Sequence, residues 1–217
     1  MLNKYYEDYW KKRSGGKVLP PISSSIPELL QKYSSYGAIL NQISVGSKIL
    51  DVGCGDGNVA SLYLQKGEVY GVDISKNAQK LAEKKGIKTK LCDLNESKLP
   101  FSDNYFDVVI FTDALEHVIN PVSLLKETRR VLNLDGKIII TVPNFARLSN
   151  RIRMLIGDPL DILHWEKYGD EVEHLHWFTA PKIKHLLIQA GFSKIRFAPT
   201  GLPFNFLFGV IKFPQLG

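Results

Sequence analysis

Three carboxylates stand at the ends of short β-rich runs, and a glycine-rich loop follows the first of them. Asp51 directly precedes Val52 and the loop Gly53-Cys54-Gly55-Asp56-Gly57. Asp73 closes a second run 20 residues beyond Gly53, and Asp93 closes a third. Glycines in such a loop let the backbone turn sharply and approach a ligand closely, because a Cβ would clash at positive φ or against the bound molecule. The loop is therefore expected to cradle a nucleotide. Gly55-x-Gly57-x-x-Ala60 also fits the dinucleotide spacing, so the glycines leave a nicotinamide cofactor open. Asp51 helps to separate the two. A carboxylate just ahead of the loop repels a pyrophosphate at the helix N-terminus and attracts an ammonium group. Asp73 is placed for bidentate hydrogen bonding to ribose hydroxyls in either case. A ligand with an ammonium group, a ribose and an adenine amine, and no phosphate, accounts for all three acids better than a dinucleotide does. Taken singly, Asp73 and Asp93 could as well cap loops at strand ends.

The histidines are the next chemistry-bearing residues. His117, within Asp113-Ala114-Leu115-Glu116-His117-Val118, follows the fourth β-rich run and is the first candidate for a base near neutral pH. The alternative is a histidine that bonds backbone or braces the pocket. His174 and His176 alternate in Glu173-His174-Leu175-His176-Trp177-Phe178, a spacing that points both rings to one face of an extended segment. With Asp170, Glu171 or Glu173 they could hold a metal. No cysteine or helical histidine pairing supports zinc, so no metal is expected and a pocket wall is preferred. His164 and Trp165 lie in the same insertion and would add an aromatic, hydrogen-bonding surface suited to a ring-bearing or glycosidic acceptor.

These residues need elements to position them. Nearly continuous apolar runs predict strands over 48–52, 68–74, 88–94, 106–112 and 137–142, as parallel strands buried on both faces require. Helices alternate with them. A helical pattern with Val59, Leu62 and Tyr63 inward follows the glycine loop. Ser75 caps a helix that stops at Gly86. Asn120 caps another, with Pro121 in its first turn and an Asp135-Gly136 turn beyond its end. Thr179 and Pro181 open a third, ended by Gly191 before a sixth strand over 193–198. Residues 1–45 form an N-terminal arm rich in Tyr, Ser and Pro with a helix over 27–42, and 46–217 form the main domain with an insertion at 144–177. Strands joined by helices cross over right-handedly into a doubly wound α/β sheet, which binds ligands at the carboxyl ends of its strands.

The segments ILDVGCGDG at 49–57, GVDIS at 71–75, LCDLNE at 91–96, FDVVIFTDALEHV at 106–118 and LNLDGKIIITVPN at 132–144 together resemble class I S-adenosylmethionine (SAM) dependent methyltransferases. The likeness runs from about Lys48 to Phe192 and extends to the type 11, methionine-biosynthesis W and ubiquinone-biosynthesis groups. It implies a mostly parallel, seven-stranded Rossmann-like sheet with helices on both faces and a lid-like insertion after the fifth strand. By the same resemblance, Gly53 and Gly55, with Cys54 between them, flank the methionine part of SAM, and Asp51 helps order its amino-acid end. Asp73 and Ile74 take the ribose, Asp93 and the backbone at Leu94 the adenine, and Thr112 with Leu115 the near wall. The LEHV segment around His117 is shared with many small-molecule O-methyltransferases. An Asn/Asp-Pro-Pro-Tyr turn, which marks nucleobase amine methylation, is absent: Thr112-Asp113-Ala114-Leu115 stands there. The expectation is methyl transfer to a small-molecule hydroxyl on a sugar, quinone-like or secondary-metabolite acceptor. A SAM-binding partner protein without turnover and a nicotinamide-dependent reductase are the alternatives.

Composition bounds the rest. The chain has 217 residues, 44% hydrophobic and 23% charged, which fits a folded globular protein rather than a disordered or fibrous one. Two cysteines and no signal-like start suggest a reducing, cytoplasmic setting. The net charge of +6 permits an anionic partner. Lys76, Lys80, Lys84, Lys85, Lys88 and Lys90 cluster without interleaved aromatics, which reads as a solvated face rather than a nucleic-acid surface. Tyr5, Tyr6, Tyr9 and Trp10 either fold over the cofactor or pack in the core. No run reaches the ~18 apolar residues that span a bilayer. The apolar stretch Phe204 to Ile211 is a closing strand or helix, a pocket lining, or a patch for peripheral membrane or partner contact. Either it supplies a seventh strand between the fifth and sixth or the chain stops short of one.

Overall fold

The computed structural model describes residues 4, 6–10, 35–96, 98–157, 174–200 and 206–212. Expectations for Tyr5, residues 27–34, His164, Trp165, Asp170, Glu171 and Glu173 lie outside that set.

Strands β1 (Ser47–Val52), β2 (Gly67–Asp73), β3 (Lys88–Leu91), β4 (Phe106–Thr112), β5 (Leu132–Pro143), β6 (Ile195–Thr200) and β7 (Phe206–Lys212) form one sheet in the order β3-β2-β1-β4-β5-β7-β6. The β1–β2, β1–β4, β2–β3 and β4–β5 pairs are parallel, and β7 runs antiparallel to both its neighbours. Successive side chains of a strand point to opposite faces, so each apolar run feeds two cores. Leu50, Val109 and Ile138 enter one with Leu124, Leu125 and Leu187; Ile49, Val108 and Ile139 enter the other with Ile39, Tyr63 and Ala82. Helices therefore cover both faces: α3 (Pro121–Val131) and α5 (Ala180–Gln189) on the first, and α1 (Ser35–Leu40), a 3-10 helix (Ala60–Lys66) and α2 (Lys76–Glu83) on the second, while α4 (Leu148–Leu155) follows β5. Each buried Leu, Ile or Phe contributes about 1.5–3 kcal/mol, and this burial holds the layers together.

The helix starts follow their capping residues. Ser75 accepts the Ala78 N–H at 3.2 Å, Asn120 accepts that of Ser123 at 3.1 Å, and Thr179 that of Lys182 at 3.4 Å. Several boundaries differ from expectation for local reasons. The segment after the glycine loop winds as a 3-10 helix without a capping side chain, with Ala60, Leu62 and Tyr63 buried. β3 stops at Leu91 because Asp93 accepts the Asn95 N–H and turns the chain. β5 begins at Leu132, so Asp135-Gly136 lies within the strand, where the register with β4 shifts between Phe106 and Val108.

The apolar C-terminal run contains β7, hydrogen-bonded along both edges. This agrees with the closing-strand alternative for that run. No helix among the described residues is long and apolar enough to cross a membrane. The sheet changes direction between β1 and β4, which places the ligand crevice at their carboxyl ends.

Candidate functional site

At those ends lies a cavity of about 180 Å³. Gly53, Asp73, Ile74, Asp93 and Leu94, five of the residues the resemblance assigns to the cofactor, form one side of it. Gly53 has φ +76°, and a Cβ there would come within 2.8 Å of the Ala114 Cβ, so only glycine permits this turn. Asp73 Oδ2 accepts the Gly55 N–H and Oδ1 the Ser75 N–H, both at 2.9 Å. Its carboxylate thus holds the glycine loop against α2 while each oxygen keeps a lone pair for a ligand. Burial pushes its carboxyl up, opposed by the N–H donors of Ser75, Gly55 and Ile74.

Asp51 lies beneath the loop, 2% exposed, with Oδ1 lacking a hydrogen-bond partner. Burial first, and the charge of Asp73 second, push its carboxyl up to about 8. Five residues that the resemblance assigns to the cofactor do not line the cavity: Asp51, Cys54, Gly55, Thr112 and Leu115. Cys54 turns away from the cavity, its Sγ packed where a Cβ on Gly71 would sit, so only its backbone faces the loop. Thr112 and Leu115 do not line the wall: the Thr112 hydroxyl meets Tyr63 Oη at 3.4 Å and Leu115 is fully buried in the core. Asp113 and Ala114 take their place, because Asp113 adopts φ +49° and swings the chain back across Gly53.

The far side is made by the arm. Tyr6, Tyr9 and Trp10 line the cavity, and the Trp10 ring lies where a Cβ on Gly55 would be. Glu7 anchors this segment by accepting the Lys76 and Asn77 N–H groups and the Ser75 hydroxyl at the start of α2. A carboxylate is favoured there because free N–H groups and the helix dipole converge.

His117 lies on the wall, in a single 3-10 turn, Leu115–His117. The His174 ring lies beside it, centroids 4.8 Å apart. His176 goes elsewhere: its Nε2 meets the Val118 carbonyl at 2.9 Å and its ring stacks on Phe178. Glu116, between the cavity residues, is 1% exposed, and burial pushes its carboxyl up to about 8.

Some participants carried no readable signal. Lys85 is no part of a solvated face: its side chain is 4% exposed, 3.2 Å from Asp56 Oδ2, and donates to Asp56 O and Asn58 Oδ1. It ties the end of α2 to the glycine loop. Only its position, one of several lysines on one helix, was visible in sequence. Glu7 and Glu116 gave no local cue at all.

Residues 50–140 match a family model described as a methyltransferase domain. An uncharacterized protein of Methanocaldococcus jannaschii is 41% identical over 142 residues, covering 65% of this chain and 60% of that one. The demethylmenaquinone methyltransferase of Staphylococcus saprophyticus is 31% identical over 172 residues, covering 71% of this chain and 73% of its own. Among solved structures, a SAM-dependent methyltransferase of Thermotoga maritima, titled a possible histamine N-methyltransferase, superposes with a TM-score of 0.66 at 17% identity, covering 86% and 92% of the two chains. The chain thus spans under two thirds of the first of these relatives and nearly three quarters of the second.

Proposed function

The chain belongs to the class I SAM-dependent methyltransferases, and from that premise we propose that it moves a methyl group to a hydroxyl-bearing small molecule. The carrying observation is the pair of strand-end acids Asp73 and Asp93 on the cavity wall beside the Gly53 turn and His117, with Asp51 buried beneath the loop. These residues fit the cofactor of the family: the orphaned Asp51 oxygen suits an ammonium group, and the Gly53 turn leaves backbone against the cavity. Bound SAM supplies an electrophilic sulfonium methyl.

The residues then divide the work. Asp73 holds the ribose hydroxyls, Asp93 and the Leu94 backbone the adenine, and the Gly53–Gly55 backbone the amino-acid end over Asp51. Alignment of nucleophile and methyl group is the main source of rate, up to about 7–11 kcal/mol in favourable cases. His117 takes the hydroxyl proton of the acceptor, worth roughly 10²–10⁴-fold. Oxygen is the first expected nucleophile. A second reading is favoured by the demethylmenaquinone methyltransferase relative: removing the proton of a quinol-like hydroxyl also enriches its ring carbon, and methylation then occurs at carbon.

Calorimetric titration tests this. The protein should bind SAM and its demethylated product at micromolar concentration and ignore NADH; binding of NADH alone would sink the reading. Asp73→Ala removes charge-assisted bonds worth about 1.5–3 kcal/mol and should weaken SAM roughly 10–100-fold. His117→Ala should lower turnover on a quinol and catechol panel while SAM affinity stays within a few-fold.

A further inference from the structure

Glu116, His117 and His174 each offer one ligand atom, and these atoms lie within 4.8 Å of one another. Glu116 is 1% exposed, and neither of its side-chain oxygens has a hydrogen-bond partner. A carboxylate taken out of water with nothing to bond is costly to keep, and buried polar groups are otherwise nearly always satisfied. The neighbouring imidazoles are held there by design of the backbone. The Glu116 carbonyl accepts the N–H groups of Leu175 and His176 at 2.9 and 3.1 Å, and His176 Nε2 meets the Val118 carbonyl at 2.9 Å. These bonds dock the 174–176 stretch onto the 3-10 turn and set His174 beside His117, 57 positions away in sequence.

We propose that Glu116, His117 and His174 form a three-ligand site for a divalent first-row transition cation, such as Zn²⁺ or Mn²⁺, on the cavity wall. Two imidazoles and one carboxylate suit such ions better than Mg²⁺ or Ca²⁺, which prefer all-oxygen sets. Metal–ligand distances of about 2.0–2.2 Å put neighbouring ligand atoms about 3–3.5 Å apart, so the groups close by at most about 1.3–1.8 Å. His174 is exposed and can swing that far without disturbing the core. The absence of cysteine, which weighed against zinc in the sequence, does not weigh against this donor set.

Three protein ligands leave coordination positions open, and His117 faces the cavity. Resting on the methyl-transfer reading, the site selects acceptors whose hydroxyl oxygen can bind a cation, which eases loss of its proton. The acceptor oxygen forms its bond to the methyl carbon as the carbon–sulfur bond breaks, the electron pair staying on sulfur and the hydroxyl proton leaving to water. In the loaded state His117 holds the ion and is not the base.

The test uses the whole chain, stripped of metal, titrated with ZnCl₂, MnCl₂ and CoCl₂ without SAM or acceptor. One stoichiometric site of micromolar or tighter affinity for Zn²⁺ is expected, with Co²⁺ giving visible d–d bands. Glu116→Gln and His174→Ala should each weaken it at least tenfold, while His185→Ala, at an exposed histidine on α5, leaves it unchanged. Thermal melts confirm that the variants fold, and His174→Ala, at an exposed position, keeps the test intact if Glu116→Gln does not fold. No stoichiometric uptake by the wild type, or unchanged binding in the folded variants, overturns the proposal. A separate SAM titration on the same sample reports on the methyltransferase reading independently.

Discussion

Asp51 shows how a single side chain joins the sequence pattern to the chemistry. Burial, reinforced by Asp73, sets its carboxyl at about 8, against an ordinary value of about 3.9 in an unfolded chain. Between those values the folded protein holds a proton that the unfolded chain has released. Its contribution to stability is thus complete below about pH 4, declines as pH rises, and is lost above about pH 8. Glu116, also raised to about 8, acts in the same sense. Urea midpoints measured at pH 5, 6.5 and 8 should therefore fall more steeply in the wild type than in Asp51→Asn, whose amide does not titrate. Parallel profiles would refute the assignment. The residue types at this scale were legible because strand-end acids and loop glycines have few other uses in combination.

At the scale of elements, the glycine loop is braced from two sides. Asp73 receives the Gly55 N–H from β2, and Lys85 reaches Asp56 from the end of α2. A buried pair leaves an uncompensated charge when one partner goes, so Lys85→Ala should cost about 3–5 kcal/mol of unfolding free energy. Lys85→Met combined with Asp56→Leu should recover part of that loss, and urea denaturation would read both. The capping residues Ser75, Asn120 and Thr179 were readable because capping is a local interaction of three residues. The 3-10 winding of Ala60–Lys66 and the early start of β5 were not, because neighbouring strands and the sheet register decide them.

For the molecule as a whole, the arm completes the cavity. Glu7 fixes residues 6–10 to α2, and Tyr9 and Trp10 meet edge to face, centroids 5.2 Å apart, over the glycine loop. On the proposed placement of SAM in that cavity, its binding must alter the surroundings of Trp10. A fluorescence titration should show a change in tryptophan emission that Trp10→Phe largely removes. Glu7→Ala, which frees the arm from the helix start, should weaken SAM binding about fivefold, the equivalent of about 1 kcal/mol. A full emission change on SAM addition that persists in Trp10→Phe would place the responding tryptophan elsewhere.

The sequence by itself determined the alternation of strands and helices, their caps, the glycine turn and the strand-end acids, because each depends on periodicity or on contacts within a few residues. It also singled out His117 and the paired histidines as reactive groups. Only the tertiary structure decided which of them meet. His174 joins His117 and Glu116 while His176 turns to Val118, Lys85 leaves solvent for Asp56, and β7 inserts between β5 and β6. Each of these is a contact between segments far apart along the chain. Their partners are set by how the layers pack and by which buried polar groups must be satisfied there, and no local pattern encodes that.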